Sequence, residues 1–184
     1  MSTPYRPIKI CGITSVDDAK MVCDAGVSAI GLVFCDKSPR NISIQQAETI
    51  CAAVSPFVKI VGLFLNEKAD FVTKITDNVQ LDLLQFHGNE SAEFCSSFSR
   101  PYIKAIGMGS IDQKNNQSID EIANQHKNAL GILLDSNETG KIGGTGHRFD
   151  WNSISSQFTQ PIILAGGINP ENIRAALALS LIHI

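Results

Sequence analysis

The feature that most constrains the fold is an alternation of short apolar runs with helix-like stretches along the chain. Each run lasts about four to eight residues with little polar alternation, which is typical of parallel strands buried on both faces. A strand followed by a helix, many times over, predicts a parallel sheet with right-handed crossovers. The apolar runs open at Ile8, Ala29, Val58, Leu81, Tyr102, Leu130 and Pro161. Helices are predicted over 15–25, 43–54, 67–77, 90–98, 118–128, 149–157 and 170–179.

The spacing of the seven predicted strands favours a barrel. Successive runs lie about 25 residues apart, at the compact end for eight-unit (β/α) barrels of roughly 200 to 250 residues. After Ala165 only nineteen residues remain, and the predicted helix over 170–179 takes most of them. We therefore expect one α/β domain over residues 1–184, a (β/α)8 TIM barrel truncated after its seventh unit. An eighth strand would have no room, which would leave unpaired edges on the first and seventh strands.

Composition and charge exclude several classes of function. The 184 residues are 43% hydrophobic and 18% charged, with a net charge of −3, as in folded globular proteins. The absence of a Lys/Arg cluster argues against a nucleic-acid partner. No apolar stretch is long enough to span a membrane or to form a signal peptide. Five cysteines without a C-x-x-C pair argue against a disulfide framework. We expect a cytoplasmic protein with reduced thiols and no membrane partner.

Cys11 ends the first predicted strand and precedes a helix predicted to begin at Ser15. The carboxyl tips of parallel strands, with the loops that follow them, hold the ligands of barrels and open sheets. A thiol at such a tip can serve as a base or a nucleophile once it is deprotonated. The alternative is that Cys11 is simply a small, buried, apolar residue.

Three further side chains follow the ends of predicted strands. Asp135 ends the sixth strand, on the same rim as Cys11, where it can act as an acid or merely cap the next loop. Arg40 follows the second strand, and its planar fork can hold a carboxylate, although an exposed arginine is the simpler reading. His87 ends the fourth strand, as a ligand contact or as a hydrogen-bonded structural imidazole.

Two glycine-rich segments are candidates for holding a phosphate. The loop after Asp135 contains Gly144 and Thr145 in a glycine-dense stretch that can present backbone amides to an anion, or can simply be a flexible surface loop. The second segment places Gly166 and Gly167 between the seventh strand and a helix predicted to be capped by Asn169. A strand, a glycine turn and a helix amino terminus form the phosphate site after the seventh strand of many barrels.

An ordered set of motifs resembles the phosphoribosylanthranilate isomerase family over about residues 8–179, nearly the whole chain. Each motif is weak alone, but their order is specific. The motifs are Lys9-Ile10-Cys11-Gly12-Ile13-Thr14, Ser38-Pro39-Arg40, Gly62-Leu63-Phe64-Leu65-Asn66, Leu84-Gln85-Phe86-His87-Gly88, Leu133-Leu134-Asp135, Gly143-Gly144-Thr145-Gly146 with Phe149-Asp150-Trp151, and Leu164-Ala165-Gly166-Gly167-Ile168.

The resemblance implies a (β/α)8 barrel and a cofactor-free Amadori rearrangement in tryptophan biosynthesis. N-(5-phosphoribosyl)anthranilate, the implied small-molecule partner, would become 1-(2-carboxyphenylamino)-1-deoxyribulose 5-phosphate. By the same resemblance, Cys11 is the general base, Asp135 is the general acid, and Arg40 holds the anthranilate carboxylate. A monomer and a homodimer are both compatible with this family.

Two other hypotheses belong to different classes. The first hypothesis is a related phosphosugar barrel enzyme, such as an epimerase or an indole-glycerol-phosphate synthase. A synthase is expected to carry lysine and glutamate at its strand tips, whereas this chain has Cys11 and Asp135. The other is an inactive, truncated remnant of the isomerase family that at most binds phosphate or a complementing fragment.

Overall fold

The computed structural model of the protein describes residues 6–108, 119–136, 150–151, 154 and 159–179, and the backbone of 182–183. Within these residues, strands and helices alternate as the sequence predicts. The strands are β1 (Lys9–Cys11), β2 (Ala29–Val33), β3 (Lys59–Phe64), β4 (Leu83–Phe86), β5 (Tyr102–Gly107), β6 (Ile132–Asp135), β7 (Ile162–Leu164) and β8 (Ile182–His183). The helices are α1 (Val16–Asp24), α2 (Ile44–Ala53), α3 (Ala69–Asn78), α4 (Ala92–Ser96), α5 (Ile119–Gln125) and α6 (Ile173–Ala178).

The strands form one parallel sheet in sequence order, from β1 to β8. Each strand pairs in parallel with the next, so all their carboxyl ends meet at one edge, which we call the carboxyl rim. The register pairs Cys11 with Gly31 and Gly107 with Asp135 at this rim. The sheet therefore brings the ends of β1 and β6 to the same side of the molecule.

The two faces of the sheet bury different sets of side chains. On the outer face, residues of the strands pack with the inward faces of the helices into the main core, which includes Leu32, Phe64, Phe86, Ala19, Ile50 and Val72. Alternate residues of β5, β6 and β7, with Ala165 just after β7, form a separate inner cluster of Ile103, Ala105, Leu133, Ile163 and Ala165. Burial on both faces explains why the strands read as continuous apolar runs.

The seven predicted strands are confirmed, and so are six of the predicted helices. Ser15 caps α1 by accepting a hydrogen bond from the backbone N–H of Asp18 (3.1 Å). Gly26, with φ of 83°, ends that helix in the left-handed conformation that favours glycine. The prediction of a helix over 149–157 falls mostly outside the described residues.

The last described helix starts later than predicted. α6 begins at Ile173, not at Pro170, because the Asn169 side chain stabilises a turn ahead of the helix. Its Oδ1 accepts hydrogen bonds from the backbone N–H groups of Glu171 (3.0 Å) and Asn172 (3.1 Å). Asn169 thus acts as a cap, but of the turn and not of α6.

The prediction that an eighth strand has no room is wrong. Because α6 has only six residues, the chain returns to the sheet in time for β8 to pair with β7. Ile182 lies opposite Ile163, and His183 opposite Leu164. β8 has two residues and stands at the end of the strand order opposite β1, with one residue of the printed sequence beyond it. The architecture is otherwise the predicted (β/α) barrel type, without a helix after β8 in the described chain.

The described helices have at most ten residues, and none is long and apolar enough to cross a lipid bilayer.

Candidate active site

The carboxyl rim places the predicted thiol and carboxylate on one side of the sheet. Cys11 is half-buried at the end of β1, and Asp135 is buried at the end of β6. Asp135 alternates with Leu134 of the outer core, so its side chain belongs to the inner face. Cys11 Sγ lies beside the position that a Cβ of Gly31 would take, and Gly31 alternates with Leu32 of the outer core, so Cys11 belongs to the inner face as well. The structure therefore brings Cys11 and Asp135 to the inner, rim-facing part of the sheet, as expected.

Cys11 differs from two other thiols of the chain. Burial raises the pKa of Cys51 to about 11 and the pKa of Cys95 to about 12. Thiols with pKa values this high stay protonated near neutral pH and are poor bases and nucleophiles. Cys11 is a half-buried thiol at the carboxyl rim and is therefore the better candidate for acid–base chemistry.

Arg40 packs against Gly12, the residue that follows Cys11 in the chain. A Cβ at Gly12 would collide with Cδ of Arg40 and would lie 3.0 Å from its Nε and Nη1, so only glycine leaves room for the guanidinium. Gly12 also has φ of 85°, which L residues rarely adopt. The half-buried Arg40 forms no ion pair within the described part of the chain. This placement supports the hypothesis of a carboxylate clamp over that of a solvent-exposed arginine.

The loop that carries Arg40 is held by its own polar groups. Ser38 Oγ accepts a hydrogen bond from the backbone N–H of Arg40 (3.1 Å). Asn41 Oδ1 accepts one from the backbone N–H of Cys35 (2.9 Å). These bonds hold the chain on both sides of Pro39, so the backbone that carries Arg40 is fixed before any ligand arrives.

His87 and Asp135 form a buried pair of acid–base groups. His87 Nε2 lies 3.6 Å from Oδ2 of Asp135, just beyond hydrogen-bond distance. Burial is the main cause that lowers the pKa of His87 below its usual value, although the Asp135 carboxylate acts in the opposite direction. Lys104 and Lys9 lower this pKa further. His87 is therefore a neutral imidazole at pH 7.

Gln85 orients the His87 ring from below. Its Nε2 lies 3.3 Å from Nδ1 of His87, and in this orientation the amide donates to the ring. Nδ1 is then the acceptor, and the ring proton sits on Nε2, which faces Asp135. Sequence reasoning overlooked Gln85, although it lies two residues before His87 and so shares its face of β4.

A buried ion pair behind β4 fixes the loop that carries His87. Lys104 Nζ donates to Oε2 of Glu90 at 2.9 Å, and both side chains are 3% exposed. Glu90 also accepts from the backbone N–H groups of Asn66 (2.7 Å) and Gly88 (2.9 Å). The ion pair thus ties the loop after β3 to the loop after β4. The sequence signal that could have revealed it is a lysine inside the otherwise apolar β5.

The glycines after β7 have the backbone geometry that a phosphate turn requires. Gly166 and Gly167 have φ values of 78° and 65°, which favour glycine. A Cβ at Gly166 would collide with Ser136, which follows Asp135, so this turn packs on the end of β6. Among the described residues, the N–H groups of these two glycines donate no hydrogen bond. Gly144 and Thr145 lie outside the described residues, so their predicted role stays a prediction.

A cavity of about 330 Å³ opens at the opposite, amino end of the sheet. Its wall is mainly apolar and includes Ile8, Ala29, Val61 and Leu83. None of the predicted site residues lines it. Its lining also includes Lys9, Lys59 and Asp82, but the predicted acid, base and phosphate-binding residues lie at the carboxyl rim and not here.

Fold and rim together define a class, the (β/α) barrel enzymes that carry acid–base groups at the carboxyl end of a parallel sheet. The family model described as N-(5'phosphoribosyl)anthranilate (PRA) isomerase matches residues 8–183. The chain belongs to this family.

Relatives and solved structures agree with the family. The N-(5'-phosphoribosyl)anthranilate isomerase of Pseudomonas fluorescens (strain Pf-5) is 49% identical over 170 residues, which are 92% of this chain and 79% of the relative. The crystal structure of phosphoribosyl anthranilate isomerase from Thermotoga maritima covers 97% of this chain and 86% of its own, with 35% identity and a TM-score of 0.83.

Another solved structure in the family holds a ligand. It is a phosphoribosyl anthranilate isomerase in complex with reduced 1-(O-carboxyphenylamino)-1-deoxyribulose 5-phosphate. It covers 97% of this chain and 85% of its own, with 33% identity and a TM-score of 0.79. The recognition of the family from ordered motifs is thereby confirmed, as is the barrel fold.

Proposed function

We propose that the protein is a phosphoribosylanthranilate isomerase of tryptophan biosynthesis. It converts N-(5-phosphoribosyl)anthranilate to 1-(2-carboxyphenylamino)-1-deoxyribulose 5-phosphate by an Amadori rearrangement. The observation that carries the proposal is the carboxyl rim, where Cys11 and Asp135 share an inner face and Arg40 lies against Gly12, the residue after Cys11. Membership of the isomerase family supports the same conclusion.

The reaction needs one acid and one base. Asp135 donates a proton to the furanose ring oxygen, the C1–O bond breaks, and the nitrogen lone pair forms an iminium at C1. The Cys11 thiolate then removes the proton from C2 and leaves an enamine, which tautomerises to the ketone. Each proton transfer of this kind typically accelerates a reaction by about 10²–10⁴.

The remaining residues of the rim would bind and orient the substrate. The guanidinium of Arg40, which lies against Gly12, would hold the anthranilate carboxylate by two parallel hydrogen bonds. The neutral His87 can donate its Nε2–H to Asp135 or to a substrate hydroxyl without adding charge. The backbone amides of Gly166 and Gly167 would bind the phosphate, together with the predicted Gly144 and Thr145.

The alternative of an inactive member that only binds phosphate gains no support from the described residues. The two possibilities differ in turnover. Purified protein is mixed with N-(5-phosphoribosyl)anthranilate, and formation of the ketose is followed by chromatography. We expect product that accumulates in proportion to protein concentration. Binding of the reduced product analogue without any turnover of the substrate would refute the proposal and favour the inactive alternative.

A further inference from the structure

Lys9 is a buried cation that the proposed reaction does not yet use. Its residue is 6% exposed, and its Nζ has no hydrogen-bond partner in the part of the chain that the structure describes. A buried charge without a partner is costly, and buried charges in proteins are normally paired or neutralised. A negative charge nearby would offset the free-energy cost of burying the ammonium group of Lys9.

The space beside Gly31 shows which group lies next to Lys9. A Cβ at Gly31 would lie 2.8 Å from Sγ of Cys11 and 3.1 Å from both Cε and Nζ of Lys9. The sulfur and the ammonium therefore flank the same point of β2. Gly31 does not have a positive φ, so what its missing side chain supplies is room.

The register explains how the lysine reaches this point. Lys9 pairs with Ala29, two residues below the level of Cys11 and Gly31. Its side chain rises along the inner face of the sheet, and its Cε and Nζ end at the level of Gly31. The lysine therefore approaches the thiol from the amino end of the sheet, while Arg40 lies against Gly12, the residue after Cys11.

The other charged groups near this point are few. His87 faces it from β4, neutral because burial lowers its pKa, and Asp135 faces it from β6. Lys104 lies behind β4, already paired with Glu90. The inner positions of β5, β6 and β7 below the rim are apolar, namely Ile103, Ala105, Leu133, Ile163 and Ala165. Lys9 thus adjoins Cys11, and among the described residues Asp135 supplies a carboxylate on this face of the rim.

We propose that Lys9 is a positioning residue whose ammonium group is the counter-charge of the Cys11 thiolate. Cys11 loses its proton to solvent before the substrate binds, and the pair then keeps the sulfur as a base. An opposite charge within about 4–6 Å favours the charged form of an ionisable group. The role in catalysis rests on the proposed function, whereas the charge pair itself does not.

The pair can be tested without any activity. The protein and its Lys9→Met variant are treated with iodoacetamide across pH 6–10, and alkylation of each cysteine is followed by peptide mass spectrometry. We expect the rate at Cys11 to fall about tenfold at pH 7 in the variant, with the half-maximal rate reached about one pH unit higher. The half-buried Cys23 in α1 is the internal control and should react at the same rate in both proteins.

Two further variants complete the test. Lys20→Met removes an exposed lysine from α1 and should leave Cys11 alkylation unchanged. Lys9→Arg keeps the charge and should retain more of the rate at Cys11 than Lys9→Met does. Methionine is apolar and close in length to lysine, so we expect Lys9→Met to keep its thermal transition.

The outcomes separate the pair from the proposed function. Slower alkylation of Cys11 in Lys9→Met supports the pair even if the protein never turns over substrate. A lack of turnover would contradict only the isomerase proposal. Unchanged alkylation of Cys11 in this variant would overturn the pair. If KM for the substrate rises in the same variant while alkylation is unchanged, Lys9 is a substrate contact and not the counter-charge of Cys11. An equal loss of rate in Lys9→Arg would overturn it as well.

Discussion

His87 Nε2 and Asp135 Oδ2 lie 3.6 Å apart, and about nine-tenths of each side chain is buried. The lowered pKa of His87, caused first by burial, keeps the imidazole uncharged, so this pair is not an ion pair at neutral pH. The contact places a neutral donor beside the proposed general acid. The imidazole therefore adds no positive charge next to the carboxyl group that the proposed reaction uses as its acid.

The lowered pKa values of buried histidines predict how stability changes with pH. Burial lowers the pKa of His126 to about 4, and it lowers the pKa of His87 as well. Each group binds a proton in the unfolded chain below about pH 6.5, before it does so in the folded protein. The free energy of unfolding should therefore fall as the pH drops from 6.5 towards 4, by up to about 1.4 kcal/mol per pH unit from His126, and the lowered pKa of His87 adds a fall of the same sign.

Urea unfolding at pH 7 and pH 5 measures this fall, and His126→Gln is the informative variant. Its stability should depend less on pH than that of the parent, because one histidine no longer contributes. An equal fall in both proteins would mean that His126 is protonated as readily in the folded state as in the unfolded chain.

The Lys104–Glu90 pair predicts strong coupling between two substitutions. Lys104→Met leaves the Glu90 carboxylate buried without its partner, which typically costs about 3–5 kcal/mol. Adding Glu90→Gln should recover part of this loss, because the remaining group is then uncharged. Urea unfolding of the four proteins gives the coupling free energy. Strictly additive effects would contradict the description of the pair as a buried salt bridge.

The turn at Gly166 predicts that an alanine at this position lowers the free energy of unfolding by more than a positive φ alone would. Gly166→Ala suffers a positive φ and a collision with Ser136, whereas Gly26→Ala suffers only a positive φ of 83°, with nothing near its Cβ. The control should lose about 1 kcal/mol of stability and the Gly166 variant clearly more. Equal losses in urea unfolding would contradict the packing of this turn on Ser136. If Gly166 binds the phosphate, its variant should also raise KM.

Arg40→Lys tests recognition of the carboxylate. Lysine keeps the positive charge but cannot reproduce a two-pronged hydrogen bond to a carboxylate, so KM should rise by roughly tenfold with a smaller change in kcat. Arg174→Lys, on the exposed face of α6, is the matched control and should match the parent. An unchanged KM in Arg40→Lys would mean that the guanidinium does not hold the substrate.

The sequence predicted which reactive residues lie at the ends of the strands, but not which other side chains contact them. Cys11, His87 and Asp135 were found because an apolar run that ends in a reactive residue places it at the carboxyl rim. The role of Lys9 was missed because a single lysine in a short run does not reveal which way it points. Its partner becomes visible only once the register sets Cys11 beside Gly31.

The other differences between the predicted and the observed structure arise mostly from contacts between segments that are distant in the sequence. The Lys104–Glu90 pair joins residues from β5 and the loop after β4, and no pattern within either segment encodes the contact. β8 was missed because a two-residue strand has no periodicity of its own and is defined by its pairing with β7. The start of α6 moved because Asn169 is a good cap for a turn as well as for a helix.

The turnover of Cys11→Ala and Asp135→Asn tests the central claim most directly. Steady-state kinetics with N-(5-phosphoribosyl)anthranilate should show kcat reduced by about 10²–10⁴ in each variant, with much smaller changes in KM, because both groups act in proton transfer. Cys23→Ala and Asp70→Asn, in α1 and on the exposed side of α3, should retain the parent kcat. A kcat near that of the parent in Cys11→Ala or in Asp135→Asn would remove that residue from the mechanism and contradict the account.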